Sequence, residues 1–184
     1  KTPVGFIPAL DRGFLIIVTQ LPGGASLART DQVNRRTVDI ALKVPGVSSA
    51  VNVVGFSGAT FTNAPNAGAV FAVLEPFGER AKDPRKSAAA ITAELFKRLG
   101  TIEEAMIFVV APPPVQGIGN AGGFRMMIED RGGRSPQALQ EAVAAMMARV
   151  GQVPEVAQVF SLFETSTPQL YLDIDRTKAQ MLGV

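Results

Sequence analysis

The amino-acid sequence contains the same strand–helix–strand pattern twice, at a spacing of about 110 residues. The first copy begins at Gly13-Phe14 and passes through an apolar run and a helical pattern to Val44-Pro45-Gly46-Val47. The second copy begins at Gly123-Phe124 and reaches Val153-Pro154-Glu155-Val156 in the same order. An internal repeat of supersecondary units predicts related structural units that follow one another along the chain.

The first copy continues into a second half of the same kind. Apolar, β-branched runs predict strands at residues 14–20, 47–54, 69–74 and 104–110. Apolar residues at helical spacing predict helices at residues 27–43 and 84–99. The order β-α-β-β-α-β is that of a ferredoxin-like split βαβ sandwich, with an antiparallel sheet and the helices on one face.

The second copy shows only one βαβ half. Strands are predicted at residues 124–129 and 156–163, around a helix that Ser135-Pro136 begins. The predicted fold class is therefore α+β, a ferredoxin-like βαββαβ sandwich followed by half of a second similar unit. The incomplete second unit and the missing initiating Met lead us to expect a segment of a longer protein.

Composition excludes several functions. The chain has no cysteine and no histidine, which removes Ser-His-Asp and Cys-His catalytic centres and the usual metal ligands. The formal net charge of +2 and the lack of a Lys/Arg run argue against nucleic acid as a partner. No apolar run reaches the roughly 20 residues of a membrane span. We expect no enzymatic activity, no metal and no cofactor.

A glycine motif follows three prolines in the middle of the chain. Gly117, Gly119 and Gly122 spell G-x-G-x-x-G, which binds dinucleotides where it opens a helix. Here a predicted strand follows instead, so no helix N-terminus faces the phosphates. The prolines at 112–114 and the glycines predict a polyproline segment and a flexible linker between the two units.

Two other features have competing interpretations. The glycine-rich segment, residues 55–68, carries Phe56 and Phe61, which either plug the core or contact a ligand. Asp173 and Asp175 alternate along the chain and could form a metal-binding pair. For the aspartates we favour a helix cap at Asp175 and a solvent-exposed Asp173.

Several segments together resemble the multidrug efflux transporters of the resistance–nodulation–division superfamily, hydrophobe/amphiphile exporter branch. They are P-x-x-D-x-G near the start, PPP-x-x-G-x-G-x-x-GGF in the middle and D-x-D-x-x-K-A-x-x-LGV at the end. The resemblance extends over essentially the whole chain, with the segments in the expected order and spacing.

The resemblance implies a place in a proton-driven pump of the Gram-negative inner membrane, in the periplasmic porter region of its C-terminal half. Residues 1–115 would form a complete porter subdomain, residues 116–165 half of the next, and residues 166–184 the start of the docking subdomain. Such pumps are homotrimers that work with a periplasmic adaptor and an outer-membrane channel. They export hydrophobic or amphiphilic small molecules.

The resemblance also assigns positions to the drug pockets. The glycine-rich segment, with Phe56 and Phe61, matches a switch loop between an outer and an inner pocket. Matches to the inner-pocket wall are Val51, Val53 and Phe71; matches to the outer pocket are Val18, Phe124, Met126 and Ile128. Val51 stands where a phenylalanine is often found. Phe160 falls where the best-known homologue has a pocket arginine, which predicts weaker selection of anionic drugs.

Two other functions remain open. A stand-alone ferredoxin-like regulatory or small-ligand-binding domain would share the first unit, although half of a second unit leaves a sheet edge exposed. A structural interaction module, whose main role is trimer contact, would direct the same apolar residues at protein.

Overall fold

The chain forms two compact units, Lys1–Ile128 and Glu129–Val184. The computed structural model describes residues 10–58, 62–112, 126–156, 159–165 and 173–183. No helix within these ranges is long and apolar enough to cross a lipid bilayer.

The first unit is built on a four-stranded sheet whose order is β2-β3-β1-β4. The strands are β1 (Phe14–Gln20), β2 (Val47–Ser57), β3 (Thr62–Leu74) and β4 (Met106–Val110). Every neighbouring pair is antiparallel. Both chain crossings place a helix between strands that are not adjacent, as in a split βαβ sandwich. The predicted α+β class is confirmed.

Two helices cover one face of this sheet. They are α1 (Leu27–Ala41) and α3 (Ala88–Leu99), and both begin at a serine whose hydroxyl accepts a hydrogen bond from the first helical turn. The core lies between these helices and the sheet. It is made of aliphatic side chains from every strand and both helices: Leu15, Ile17, Leu21, Val33, Ala41, Val47, Val70, Ala72, Leu74, Ile91, Leu95, Leu99 and Val109.

The predicted helix at residues 84–99 is divided in two. Pro84–Lys86 forms one 3-10 turn, which Asp83 caps by accepting from the Arg85 amide at 3.0 Å. Ser87 is extended and caps α3, so the α-helix begins only at Ala88. A four-residue helix absent from the prediction, α2 (Phe77–Arg80), follows β3.

The glycine-rich segment, predicted as a loop, is mostly strand. β2 continues to Ser57 and β3 begins at Thr62, so both strands extend well beyond their predicted ends. A β-bulge between Val54 and Phe56 allows the ladder to continue past Gly55. Gly55 has φ +79°, a conformation that glycine adopts without steric penalty. The prediction failed because glycine and asparagine are uncommon in strands.

The second unit contains α4 (Pro136–Val150) and α5 (Arg176–Met181). The Ser135 hydroxyl accepts from the Ala138 amide at 3.1 Å, and Asp175 accepts from the Lys178 amide at 3.0 Å, as predicted for both caps. Residues 126–129 and 159–163, which fall in predicted strands, are not in strands. A strand needs a neighbour for its hydrogen bonds, and the described residues offer these segments none.

Candidate functional site

The face of the sheet opposite α1 and α3 is apolar and partly open. Successive side chains of a strand point to opposite faces, so the neighbours of core residues such as Leu15 and Val70 lie on this open face. Strand register arranges them in two rows across all four strands. The first row is Val51, Phe71, Ile16 and Val110, and the second row is Val53, Ala69, Val18 and Phe108.

Four of the predicted pocket residues therefore share this open face. Val51 and Phe71 are direct cross-strand partners in the first row, and Val53 and Val18 flank Ala69 in the second row. Cross-strand neighbours on one face have Cβ atoms about 5 Å apart, which is close enough for one ligand to touch several of them. The strand residues of this face described in the structure carry no ionisable side chain.

The end of β2 lies over the second row at Gly58. A Cβ atom added at Gly58 would lie 3.3 Å from Val18 Cγ2 and 3.3 Å from Ala69 Cβ, so the backbone at Gly58 is in contact with both residues. Val18 and Ala69 are accordingly 2% and 0% exposed, whereas Val51 in the first row is 55% exposed. One part of the face is thus covered by the segment, and the other part is open.

The structure describes one of the two phenylalanines of the segment. Phe56 lies in β2, opposite Asn63, and is half-buried. Phe61 falls outside the described residues, so both interpretations of it remain. The other predicted residues that the structure describes are not in the strands of the sheet. Met126 and Ile128 are 48% and 38% exposed outside the sheet, and Phe160, in the second unit, is 46% exposed. Phe124 also lies outside the described residues.

A buried polar cluster on the helix side of the sheet was missed by the sequence analysis. Asn34 of α1 is 0% exposed, and its Oδ1 accepts a hydrogen bond from the Thr19 hydroxyl. Its Nδ2 donates to Asn52 Oδ1 at 2.8 Å and to the Val53 carbonyl at 3.4 Å. These bonds connect α1 to both β1 and β2, directly behind the second row.

Gly68 of β3 completes the cluster. A Cβ atom at this position would lie 2.2 Å from Asn34 Nδ2 and 2.7 Å from Thr19 Oγ1, so only glycine leaves room for the amide. In the sequence, Thr30, Asn34 and Thr37 recur at helical spacing, in the same stripe as Val33 and Ala41. This spacing alone does not reveal their burial, because such polar residues are mostly exposed in proteins.

Charged groups of the first unit lie away from the open face of the sheet. A groove of about 420 Å³ runs along the outer surface of α1 and is lined by Arg29, Arg35, Arg36 and Glu104. The Arg36–Glu104 pair, at 2.7 Å, lowers the pKa of the Glu104 carboxyl through its hydrogen bond. Arg35 pairs with Asp31 of the same helix at 2.7 Å, and all these groups lie on the helix side of the sheet.

The described residues contain no group of three or more acidic side chains that could hold a metal ion. Asp173 is exposed and Asp175 caps α5, as predicted. The arrangement on the open face offers apolar contact area and few directional hydrogen bonds, which suits ligand contact better than bond-making chemistry.

A comparison with known proteins finds similarity over the whole chain. The model of the AcrB/AcrD/AcrF family matches residues 1–184. The chain is 34% identical to two proteins of Pseudomonas putida, the multidrug/solvent efflux pump membrane transporter MepB and the toluene efflux pump membrane transporter TtgB. It is 33% identical to the multidrug export protein AcrF of Escherichia coli.

Each alignment covers 100% of this chain but only 17% or 18% of the relative. The chain therefore spans about a sixth of the length of these transporters. A match of the family model from the first residue to the last, together with identities above 30%, agrees with the resemblance to resistance–nodulation–division transporters. The chain belongs to the AcrB/AcrD/AcrF family.

Proposed function

We propose that this chain is a periplasmic porter region of a proton-driven multidrug exporter and that the open face of its sheet is a wall of the drug pocket. The observation that carries the proposal is the placement of Val18, Val51, Val53 and Phe71 on one face, with the glycine-rich segment over part of it. Four of the residues matched to the drug pockets share this face by strand register, which supports the proposal.

The chemistry of the open face fits broad substrate selection. Directional polar groups reject every ligand that cannot satisfy them, whereas apolar and aromatic surfaces accept many shapes. The first row supplies aliphatic side chains around Phe71. A flat aromatic or aliphatic drug would bury its surface against this row. Val51, in place of a phenylalanine, leaves more room and less aromatic contact.

The glycine-rich segment would control access to the second row. In the described state Gly58 lies on Val18 and Ala69. Movement of Gly58 and the adjoining end of β2 away from the sheet would expose these two residues and enlarge the apolar wall. Transport would then follow from a change in the populations of conformers, and this region would perform no bond chemistry.

The remaining assignments belong to the same proposal. Residues 1–115 form the complete porter subdomain, residues 116–165 half of the next, and residues 166–184 the start of the docking subdomain. Phe56, Phe61, Phe124, Met126, Ile128 and Phe160 are the further pocket positions. The parent pump is a homotrimer of the Gram-negative inner membrane, with an adaptor, an outer-membrane channel and hydrophobic or amphiphilic substrates.

Replacing Phe71 with alanine in the full-length pump tests the pocket wall. The variant loses the aromatic surface at the centre of the first row, so we expect efflux of flat aromatic dyes to fall by about tenfold, equivalent to the loss of one good apolar contact. Efflux of small aliphatic solvents should change less. The measurement is proton-gradient-dependent dye efflux from pump-deficient cells supplied with adaptor and channel.

Phe96→Ala is the matched control. Phe96 lies on α3 and is 37% exposed, so its removal deletes an equally large ring on the helix side of the sheet. Equal effects of Phe71→Ala and Phe96→Ala on every substrate, at equal amounts of assembled trimer, would contradict the pocket wall. Loss of the trimer in Phe71→Ala alone would favour the interaction module instead.

A further inference from the structure

The hydrogen bonds around Asn34 have one fixed direction. Asp31 carries a carboxylate, which can only accept, so Asn52 must turn its Nδ2 toward Asp31 Oδ1 at 3.5 Å. Asn52 then presents its Oδ1 to Asn34 Nδ2, and Asn34 presents its Oδ1 to the Thr19 hydroxyl. Arg35 donates to the other oxygen of Asp31 at 2.7 Å. This chain of bonds fixes the orientation of each amide.

Helix α1 also holds the second arm of the hairpin formed by β2 and β3. The Thr30 hydroxyl donates to the Pro65 carbonyl of β3 at 2.7 Å and lies one helical turn before Asn34. Asn34 itself holds the β2 arm through Asn52 and the Val53 carbonyl. Two buried side chains of one helix therefore fix both arms of the hairpin just before its tip.

The attachment point lies where the hairpin changes shape. Val53 comes directly before the bulge at Gly55, and beyond the bulge the backbone turns so that Gly58 rests on Val18 and Ala69. Asn34 contacts the sheet from the helix side at this level, and Gly58 contacts it from the open face. A small rotation of β2 at Asn52 and Val53 would be carried through the bulge to the position of Gly58.

We propose that Asn34 is a positioning residue, which holds Gly58, at the end of β2, over the second row and thereby sets how much of the apolar wall a substrate meets. This inference rests on the proposed function for its effect on transport. The positioning of the segment itself can be measured without any transport assay. Among the described buried side chains no polar atom lacks a hydrogen-bond partner, so removal of the Asn34 amide breaks a satisfied network.

A disulfide across the covered row reports the position of the segment. A Cβ atom at Gly58 would lie 3.3 Å from Ala69 Cβ, close to the separation of about 3.8 Å that disulfides have. The chain has no cysteine of its own, so Gly58→Cys with Ala69→Cys introduces one defined pair. The rate of disulfide formation in the full-length pump, with any cysteine elsewhere replaced, measures how often the segment lies on the row.

Asn34→Ala should shift the equilibrium between the covered and uncovered positions of Gly58 by about fivefold toward the uncovered one, the effect of losing one net hydrogen bond, and so lower the rate of disulfide formation. In the pump without the cysteine pair, it should also change the ratio of efflux between large and small substrates. Asn52→Ala is a milder variant, because Asn52 is exposed, and it should act in the same direction with a smaller effect.

Thr37→Val is the matched control. Thr37 is equally buried on α1, but its hydroxyl donates only to the Val33 carbonyl of the same helix, at 3.0 Å. It should leave the disulfide rate and the efflux ratio unchanged. A wild-type disulfide rate in Asn34→Ala, or an equal decrease in Thr37→Val, would overturn the inference. A lowered rate with unchanged efflux would support the positioning and contradict the segment's role in substrate selection.

Discussion

At the scale of single residues, the ion pair between Asp11 and Arg80 is the most buried charge interaction described. The Arg80 side chain is 2% exposed and donates to both Asp11 oxygens, at 2.8 and 3.2 Å, and to the Glu75 carbonyl at 2.6 Å. The pair joins the residues before β1 to α2. A buried guanidinium that loses its carboxylate partner is strongly destabilising.

Asp11→Asn should therefore lower the free energy of unfolding by roughly 3 kcal/mol at neutral pH. The hydrogen bond from Arg80 is the main cause that lowers the pKa of the Asp11 carboxyl, and the Gly13 amide adds to it. Because the folded pKa lies below the unfolded one, the stabilisation is complete above the unfolded value and is lost as pH falls through the folded value. Urea denaturation at several pH values measures this difference.

The control for Asp11 is Glu94→Gln. Glu94 pairs with Arg98 at 2.6 Å on α3, and this bond also lowers the pKa of the Glu94 carboxyl. The pair is open to solvent, so its removal should have little effect on stability at any pH. If the difference between wild type and Asp11→Asn stayed constant from neutral to strongly acidic pH, the assigned ionic interaction would be wrong.

Gly68 provides a second test at this scale. Gly68→Ala places a methyl group against the Asn34 amide, and overpacking of this kind destabilises by about 1–3 kcal/mol. In the background of Asn34→Ala both contacts with the amide are gone and the contact with the Thr19 hydroxyl, at 2.7 Å, remains, so the same change should lose part of its effect. A double-mutant cycle by thermal unfolding measures this coupling. Gly78→Ala, with nothing within 4 Å of the added Cβ, is the control.

At the scale of elements, the sequence predicts those whose apolar pattern is simple. β1 and the start of α4 agree with their predicted bounds, because a β-branched run and a Ser-Pro cap are strong local signals. The hairpin was predicted too short, since Asn63, Asn66 and the glycines are typical of loops. The hairpin is longer because its strands pair with each other and with β1 and are attached to α1. These are long-range contacts, which a local sequence pattern does not reveal.

The candidate site was also predictable only in part, from the features that lie within a single strand. Alternation along the strands places Val51 and Val53 on one face, and register, seen only in the structure, places Phe71 beside them. Asn34 could not be assigned from local pattern, because an asparagine on a helix is usually exposed. Its burial depends on Gly68, a residue of another element, leaving space for the amide.

At the scale of the whole molecule, the two units differ in how much they bury. The first unit contains every member of the described apolar core, whereas α4 and α5 have no buried residue. Segments with few buried apolar contacts open at low free energy. In the 184-residue chain we therefore expect amide hydrogens of α4 to exchange at least about a hundredfold faster than those of α1 and α3.

Hydrogen exchange followed by mass spectrometry checks this expectation, with peptides from α3 as the internal reference. In the full-length pump the exchange of α4 should slow, because the proposed second porter subdomain would cover its apolar stripe of Leu139, Val143 and Met147. Equally slow exchange of α4 and α3 in the 184-residue chain would show that the second unit is stable by itself, contrary to the half-unit proposal.

The separation of the sheet into two faces has a consequence for how the substrate range of such a pump changes over generations. Folding depends on the helix-side residues, while the first row lies largely outside the core. Under the proposed function, substitutions at Val51 or Phe71 would therefore alter which compounds are exported while the fold persists. Some valine codons differ from a phenylalanine codon by one base, so selection by a new toxic compound can act on a single heritable step at such a position.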